Sequence, residues 1–240
     1  NWRARFLMDR FWPGPLSLVL KAKDTVPLVT RGGLDTAAIR MPDNAIALEL
    51  IRGAGVPIAA PSANRSGRPS PTDAATVRDD IGDAVAMVLD GGPARVGLES
   101  TVLDVSGDTL VLLRPGGVSK EEIEEALQMP VLLPADGSSL RRSPGTRYRH
   151  YAPKIPLIVT DDPNGTEAGD KKWAWIGTSE PAGSPVIKII FRDTEEYAKE
   201  LFRVLRLTEK SEADIIIAQR PDESGIGLAL KDRLTRASGI

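Results

Sequence analysis

The chain has 240 residues, 41% of them apolar and 27% charged, with a formal net charge of −2. That is enough apolar material for one large or two modest packed domains, and the charge balance gives no global pull toward nucleic acid or an anionic membrane. It has no cysteine and one histidine, His150, which excludes disulfides, thiolate nucleophiles and most metal sites.

Asn1 to Trp12 reads as the tail of a helix, with Phe6, Leu7 and Phe11 on one face, stopped by Trp12-Pro13-Gly14-Pro15. Leu16 to Ala22 is predicted as a strand, and Lys23 to Gly33 as polar turns. Thr36 to Met41 follows as a second strand. Alternation puts Thr36 and Arg40 on one face, ~13 Å apart, which suits two ends of an elongated pocket. Asn44 caps a helix from Ala45 to about Arg52, ended by Gly55.

The chain is organised around residues 56 to 72. Val56 to Ala60 is predicted as a short buried strand. It breaks into a loop with Ser62, Asn64, Ser66 and Ser70, and Thr72 or Asp73 then caps a helix over Ala74 to Ile81. A strand, a loop of small polar side chains and a helix start together make an anion cradle.

Further strands are predicted at Ala84 to Leu89, Val102 to Val105 and Thr109 to Arg114, the last two forming a hairpin. Ser119 and Glu122 form a capping box for a helix through Leu127. Pro134 to Pro153 has no apolar period and is rich in arginine; its composition is that of a basic linker. Beyond it, strands at Leu157 to Val159, Trp173 to Ile176, Val186 to Ile190 and Asp214 to Ala218 share the segment with helices at Thr194 to Leu207 and Gly227 to Ala237. This pattern predicts a small parallel α/β domain. Gly225-Ile226-Gly227 lacks the third glycine of a dinucleotide fingerprint.

Six ordered blocks carry a family resemblance. They are Phe11-Trp12-Pro13-Gly14-Pro15-Leu16-Ser17-Leu18-Val19-Leu20, Ile39-Arg40-Met41-Pro42, Pro61-Ser62-Ala63-Asn64-Arg65-Ser66-Gly67, Glu99-Ser100-Thr101-Val102, Leu113-Arg114-Pro115-Gly116, and Ser143 to Pro153. Together they resemble the threonylcarbamoyl-adenylate synthase family, in its long two-domain YrdC-like form. The resemblance implies an α/β fold: a YrdC-like twisted mixed sheet with helices over residues 1–133, a linker or lid over 134–153, and a smaller Rossmann-like α/β domain over 154–240. It implies a nucleotidyltransferase that converts L-threonine, bicarbonate and ATP, with Mg²⁺, into threonylcarbamoyl-adenylate and pyrophosphate.

The same resemblance assigns Thr36, Ser62, Ser70 and Arg114 to ATP, with the His150 and Tyr151 region folding over the nucleotide. Arg40 and Ser100 would hold threonine near the Ala60 backbone, with Asn64 supporting the loop. The family's opening strands, whose Lys-x-Arg-type residues grip the ATP phosphates, are expected ahead of Asn1. A downstream tRNA-modifying transferase complex is the implied partner. The expected location is the cytoplasm, without membrane attachment, because there is no apolar run of about 18 residues and no charged-then-apolar leader.

The composition agrees with this chemistry. A carbamate oxygen attacks the α-phosphorus of ATP and pyrophosphate leaves, which needs alignment and charge stabilisation rather than an enzyme nucleophile. The alternative is an RNA-binding YrdC-like module without synthase activity. The arginines between Arg141 and Arg149 favour it, while 5% aromatics and the slight negative charge oppose it.

Overall fold

A computed structural model of the chain describes residues 1–134, 151–164 and 168–239. The chain forms two compact units: Asn1–Pro61 with Glu99–Arg147, and Ser62–Leu98 with Tyr148–Ile240. The second unit thus takes up the stretch 62–98 from the middle of the sequence.

The first unit opens with helix α1 (Trp2–Phe11), whose first turn is capped by the Asn1 side chain accepting from the Ala4 N–H at 3.0 Å. Its sheet comprises β1 (Leu16–Lys21), β2 (Thr36–Ile39), β3 (Thr101–Asp104), β4 (Leu110–Arg114) and β5 (Val131–Leu132), in the order β2-β1-β3-β4-β5. β1 runs antiparallel to β2 and parallel to β3, and β3 and β4 form the predicted hairpin. The sheet is therefore mixed, as the resemblance implies.

Strand alternation sends Leu18, Leu103 and Leu112 to one face, and all three are fully buried. Val19, Val102 and Leu113 pack together. Helix α2 (Ala45–Ala54) starts at Asn44, whose side chain accepts from the Ala47 N–H, and ends at the left-handed Gly55. A later helix of this unit (Lys120–Leu127) begins with the full Ser119–Glu122 capping box.

The second unit contains α3 (Ala74–Ile81), and the helix at Lys120–Leu127 is accordingly α4 in chain order. Its sheet has the order β6 (Leu157–Thr160), β9 (Ile215–Gln219), β7 (Trp173–Gly177), β8 (Ile187–Ile190), with every pairing parallel. Helix α5 (Thr194–Thr208) buries Tyr197, Leu201, Phe202 and Leu205, and α6 (Gly227–Ser238) buries Leu230 and Leu234. These residues form one continuous core with Leu157, Ile176 and Ile216. Trp175, Ile215 and Ile217 form a second cluster. Parallel strands read as apolar runs because both faces are covered, which is why the sequence pattern identified this sheet.

Two predicted strands are absent. Val56 to Ala60 and Ala84 to Leu89 have no strand conformation, and Val56 and Ile58 are 61% and 44% exposed. A strand exists only with ladder partners for its N–H and C=O groups, and none pairs with these runs among the described residues. An apolar run alone did not carry that information.

Candidate functional site

Within the first unit two of the expected residues, Ser100 and Arg114, are joined by hydrogen bonds. The Ser17 and Ser100 hydroxyls are 2.8 Å apart. The Arg114 guanidinium donates to the Ser100 carbonyl at 2.9 and 3.1 Å and to its hydroxyl at 3.2 Å. β4 reaches this point through a register irregularity, in which Val102 faces Arg114 but Leu103 faces Leu112. Such a bulge re-aims the side chains on either side of it.

The backbone of the site is fixed from below. The Thr101 N–H donates to Pro15 O at 2.9 Å, and the Thr101 hydroxyl accepts from the Val118 N–H at 3.0 Å. Gly116 explains the Arg-Pro-Gly block. A Cβ there would lie 2.3 Å from Thr101 N and 2.4 Å from both Glu99 O and the Ser100 carbonyl carbon. Only glycine lets the Arg114–Gly117 turn lie against the Ser100 backbone.

Thr36 begins β2 and is half-buried; Arg40 lies just past the end of β2 and is exposed. Ala60 is in the irregular, exposed run that replaces the expected strand.

Within the second unit lie Ser62, Asn64 and Ser70. Asn64 donates through Nδ2 to Arg65 O and Arg68 O, at 2.8 and 3.2 Å, and so closes the turn that passes through the left-handed Gly67. The start of α3 is already occupied, however. The Asp73 carboxylate accepts from the Thr76 N–H at 2.7 Å, and that hydrogen bond holds its pKa below the usual carboxylate value. An anionic cap at a helix start competes with a phosphate for the same N–H groups. The cradle expected from strand, loop and helix therefore reduces to the loop itself.

Two forked ion pairs tie this region together, one joining the loop to the end of α5 and the other joining α3 to α5. Arg68 donates to both Glu209 oxygens at 2.9 and 2.7 Å, and Arg206 to both Asp80 oxygens at 3.1 and 2.6 Å. The Arg206 hydrogen bond holds the Asp80 carboxyl below its usual pKa.

Tyr151 is buried, with its ring 5.2 Å from that of Phe202 and the Arg233 guanidinium 5.5 Å from its centroid. The structure makes it a core residue of the second unit, in a left-handed backbone conformation. His150 and the proposed lid up to residue 150 lie outside the described residues.

The sequence reading missed Ser17, Arg68, Asp80, Arg206 and Glu209. Ser17 had a usable signal, a lone hydroxyl inside the apolar strand Leu16 to Leu20. The four charged residues had none, because their partners lie 126 or 141 positions apart.

Fold and site define a class: a two-unit α/β protein whose site chemistry is hydroxyl and guanidinium positioning. Known proteins narrow it. Residues 1–116 match the Sua5_yciO_yrdC family model, described as "Telomere recombination". Residues 118–239 match Sua5_C, described as "Threonylcarbamoyl-AMP synthase, C-terminal domain". The threonylcarbamoyl-AMP synthase of Pyrococcus abyssi is 44% identical over 253 residues, covering 98% of this chain and 74% of the relative. That of Bacillus subtilis is 42% identical, covering 99% and 73%. The crystal structure of P. abyssi Sua5 complexed with L-threonine has a TM-score of 0.87 at 40% identity, covering all of this chain and 74% of that one. The chain belongs to the threonylcarbamoyl-AMP synthase family, and spans about three quarters of the length of these relatives.

Proposed function

We infer that this protein is an L-threonylcarbamoyladenylate synthase, a nucleotidyltransferase that makes threonylcarbamoyl-AMP and pyrophosphate from L-threonine, bicarbonate and ATP. The observation that carries the reading is the Ser17–Ser100–Arg114 network, a rigid set of donors prepared before substrate arrives. Its rigidity matters because the reaction depends on alignment. The threonine amine takes up bicarbonate to give a carbamate with loss of water. A carbamate oxygen then bonds to the α-phosphorus, and the bond to the pyrophosphate oxygen breaks. Prepositioned donors lower that barrier by holding both substrates and by meeting charge where it develops.

The roles we propose are these. The Arg40 fork binds the threonine carboxylate, a planar match for its two oxygens. Ser100, fixed by Ser17 and Arg114, orients threonine beside the Ala60 backbone. Thr36, Ser62, Ser70 and Arg114 contact ATP. His150 works with the linker to cover the nucleotide, and Tyr151 anchors the end of that linker through Phe202 and Arg233. Covering the site protects a mixed anhydride from water. Mg²⁺ enters with ATP, held by its phosphates. The chemistry of the described site, hydroxyls and guanidinium, fits a metal carried by the substrate. The product passes to a transferase that modifies a tRNA adenosine, and the setting is the cytoplasm. Among the described residues, no helix is long and apolar enough to cross a membrane.

The test is pyrophosphate release by the full-length protein. Release that requires ATP, L-threonine and bicarbonate together is the expected result. tRNA binding without any such release would favour the RNA-binding module instead.

A further inference from the structure

The loop from Ser62 to Asp73 has no regular secondary structure, and Pro69 is the one buried residue among 61–73. Such a segment cannot hold two hydroxyls in fixed positions through its own packing. Beside the Asn64 bonds and the Ala94 N–H donating to Thr72 O at 2.8 Å, what holds it comes from the C-terminal end of α5.

Arg206 reaches two places at once. It donates through Nε to Pro69 O at 3.1 Å, again through Nη2, and to both oxygens of Asp80 on α3. Its side chain is 14% exposed and that of Asp80 is 10% exposed, so this is a largely desolvated pair. Arg65 Nε adds a bond to Asp80 O at 2.7 Å, which ties the loop to the end of α3.

Glu209 makes the second tie. Its carboxylate is 4% exposed and sits at the end of α5, where the helix dipole disfavours an anion. The Arg68 fork compensates for that placement. The same carboxylate accepts from the Lys154 N–H at 3.0 Å, and the Ala152 N–H donates to Gly67 O at 2.9 Å. Glu209 therefore joins the loop to the chain just after Tyr151. The far end of the 62–98 stretch is docked as well. Gly97 lies so close to α5 that a Cβ would stand 2.0 Å from Lys199 O, and Leu98 is in the core of the second unit.

We propose that Arg206 and Glu209 are positioning residues for the synthase reaction: they hold the Ser62–Ser70 loop, acting through Asp80, the Pro69 carbonyl and Arg68. This rests on the reading that the loop carries ATP. The C-terminal unit then serves catalysis as the scaffold of the nucleotide loop, whichever way the linker behaves.

The experiment compares Glu209→Gln, Arg68→Lys and Ser62→Ala in the full-length enzyme. It measures KM for ATP, KM for threonine, and amide hydrogen exchange over residues 62–72. Glu209→Gln keeps the size of the side chain and loses its charge. Arg68→Lys keeps the charge and loses the fork, and it serves alone if Glu209→Gln does not fold. The expected result is a rise in KM for ATP of about tenfold, the order of one lost charge-assisted contact, with KM for threonine within about twofold. Loop exchange should quicken in both variants. Restoration of KM by the exchanged pair Arg68→Glu with Glu209→Arg would add support. A lowered melting temperature with both KM values and loop exchange unchanged would overturn the proposal, leaving a purely structural pair. Ser62→Ala separates the two claims: an unchanged KM for ATP in that variant removes the nucleotide reading of the loop itself, whereas a raised one beside normal Glu209→Gln kinetics defeats only the positioning role.

Discussion

The two groups of expected site residues are held in place by different means. Around Ser100 the framework is backbone, a parallel strand pair, a hairpin and Gly116 packed against residues 99–101, to which the Ser17 and Arg114 side chains add hydrogen bonds. Around Ser62 and Ser70 it is side chain: two forked arginine–carboxylate pairs reaching from α5 and a glycine laid on its backbone. A site built on strands is precise by construction, while a loop is only as precise as its tethers. The difference predicts separate ways to break each group.

The largest effects should come from the two close-packed glycines. Gly116→Ala and Gly97→Ala each force a Cβ into backbone atoms, at a cost of about 3 kcal/mol, and Gly97 has in addition a left-handed φ of 80°. Calorimetric scans should show both melting temperatures lowered by roughly 6–12 °C. They should differ in function: Gly116→Ala is expected to impair threonine and ATP binding together, through Ser100 and Arg114, and Gly97→Ala to impair ATP binding first. Loss of both ligands to the same degree in both variants would erase the distinction.

Acid should loosen the second group through Asp80. Its carboxyl pKa is lowered in the folded protein, so the stabilisation it provides is complete above the unfolded value of about 3.9. It is lost as pH falls through the lowered folded value. The melting-temperature advantage of the wild type over Asp80→Asn should therefore be constant near neutrality and shrink below about pH 4. An advantage that grew on acidification would contradict the assigned ion pair.

A smaller effect is expected from Ser17→Ala, which removes one hydroxyl contact from Ser100. The loss should be about 1 kcal/mol, read as a rise in KM for threonine of about fivefold. The smallest belongs to an exposed pair. Arg52 and Glu49 lie on the surface of α2, with side chains 65% and 72% exposed, and Glu49→Gln should change stability by less than about 0.5 kcal/mol.

How much of this was legible follows from the range of each interaction. Caps are local, so Asn44 and Ser119 with Glu122 could be read directly and Asp73 as one of two candidates with Thr72, and the structure has all three. The β3–β4 hairpin and the parallel sheet of the second unit were legible too, through a tight turn and uninterrupted apolar strands. Val56–Ala60 and Ala84–Leu89 misled because an apolar run states a preference for burial without naming a partner strand. The six-block resemblance located Ser100 and Arg114, and the structure joins them. It could not locate Arg206 or Glu209, which lie in and just past an ordinary amphipathic helix and act on residues more than a hundred positions away.

The most direct test of separate threonine and nucleotide contacts is calorimetric titration of ATP and of L-threonine into Arg40→Ala and Ser62→Ala of the full-length protein. The account predicts that Arg40→Ala loses threonine binding and keeps that of ATP, while Ser62→Ala weakens ATP binding by ~1 kcal/mol or more and keeps that of threonine. Equal weakening of both ligands in both variants would contradict it.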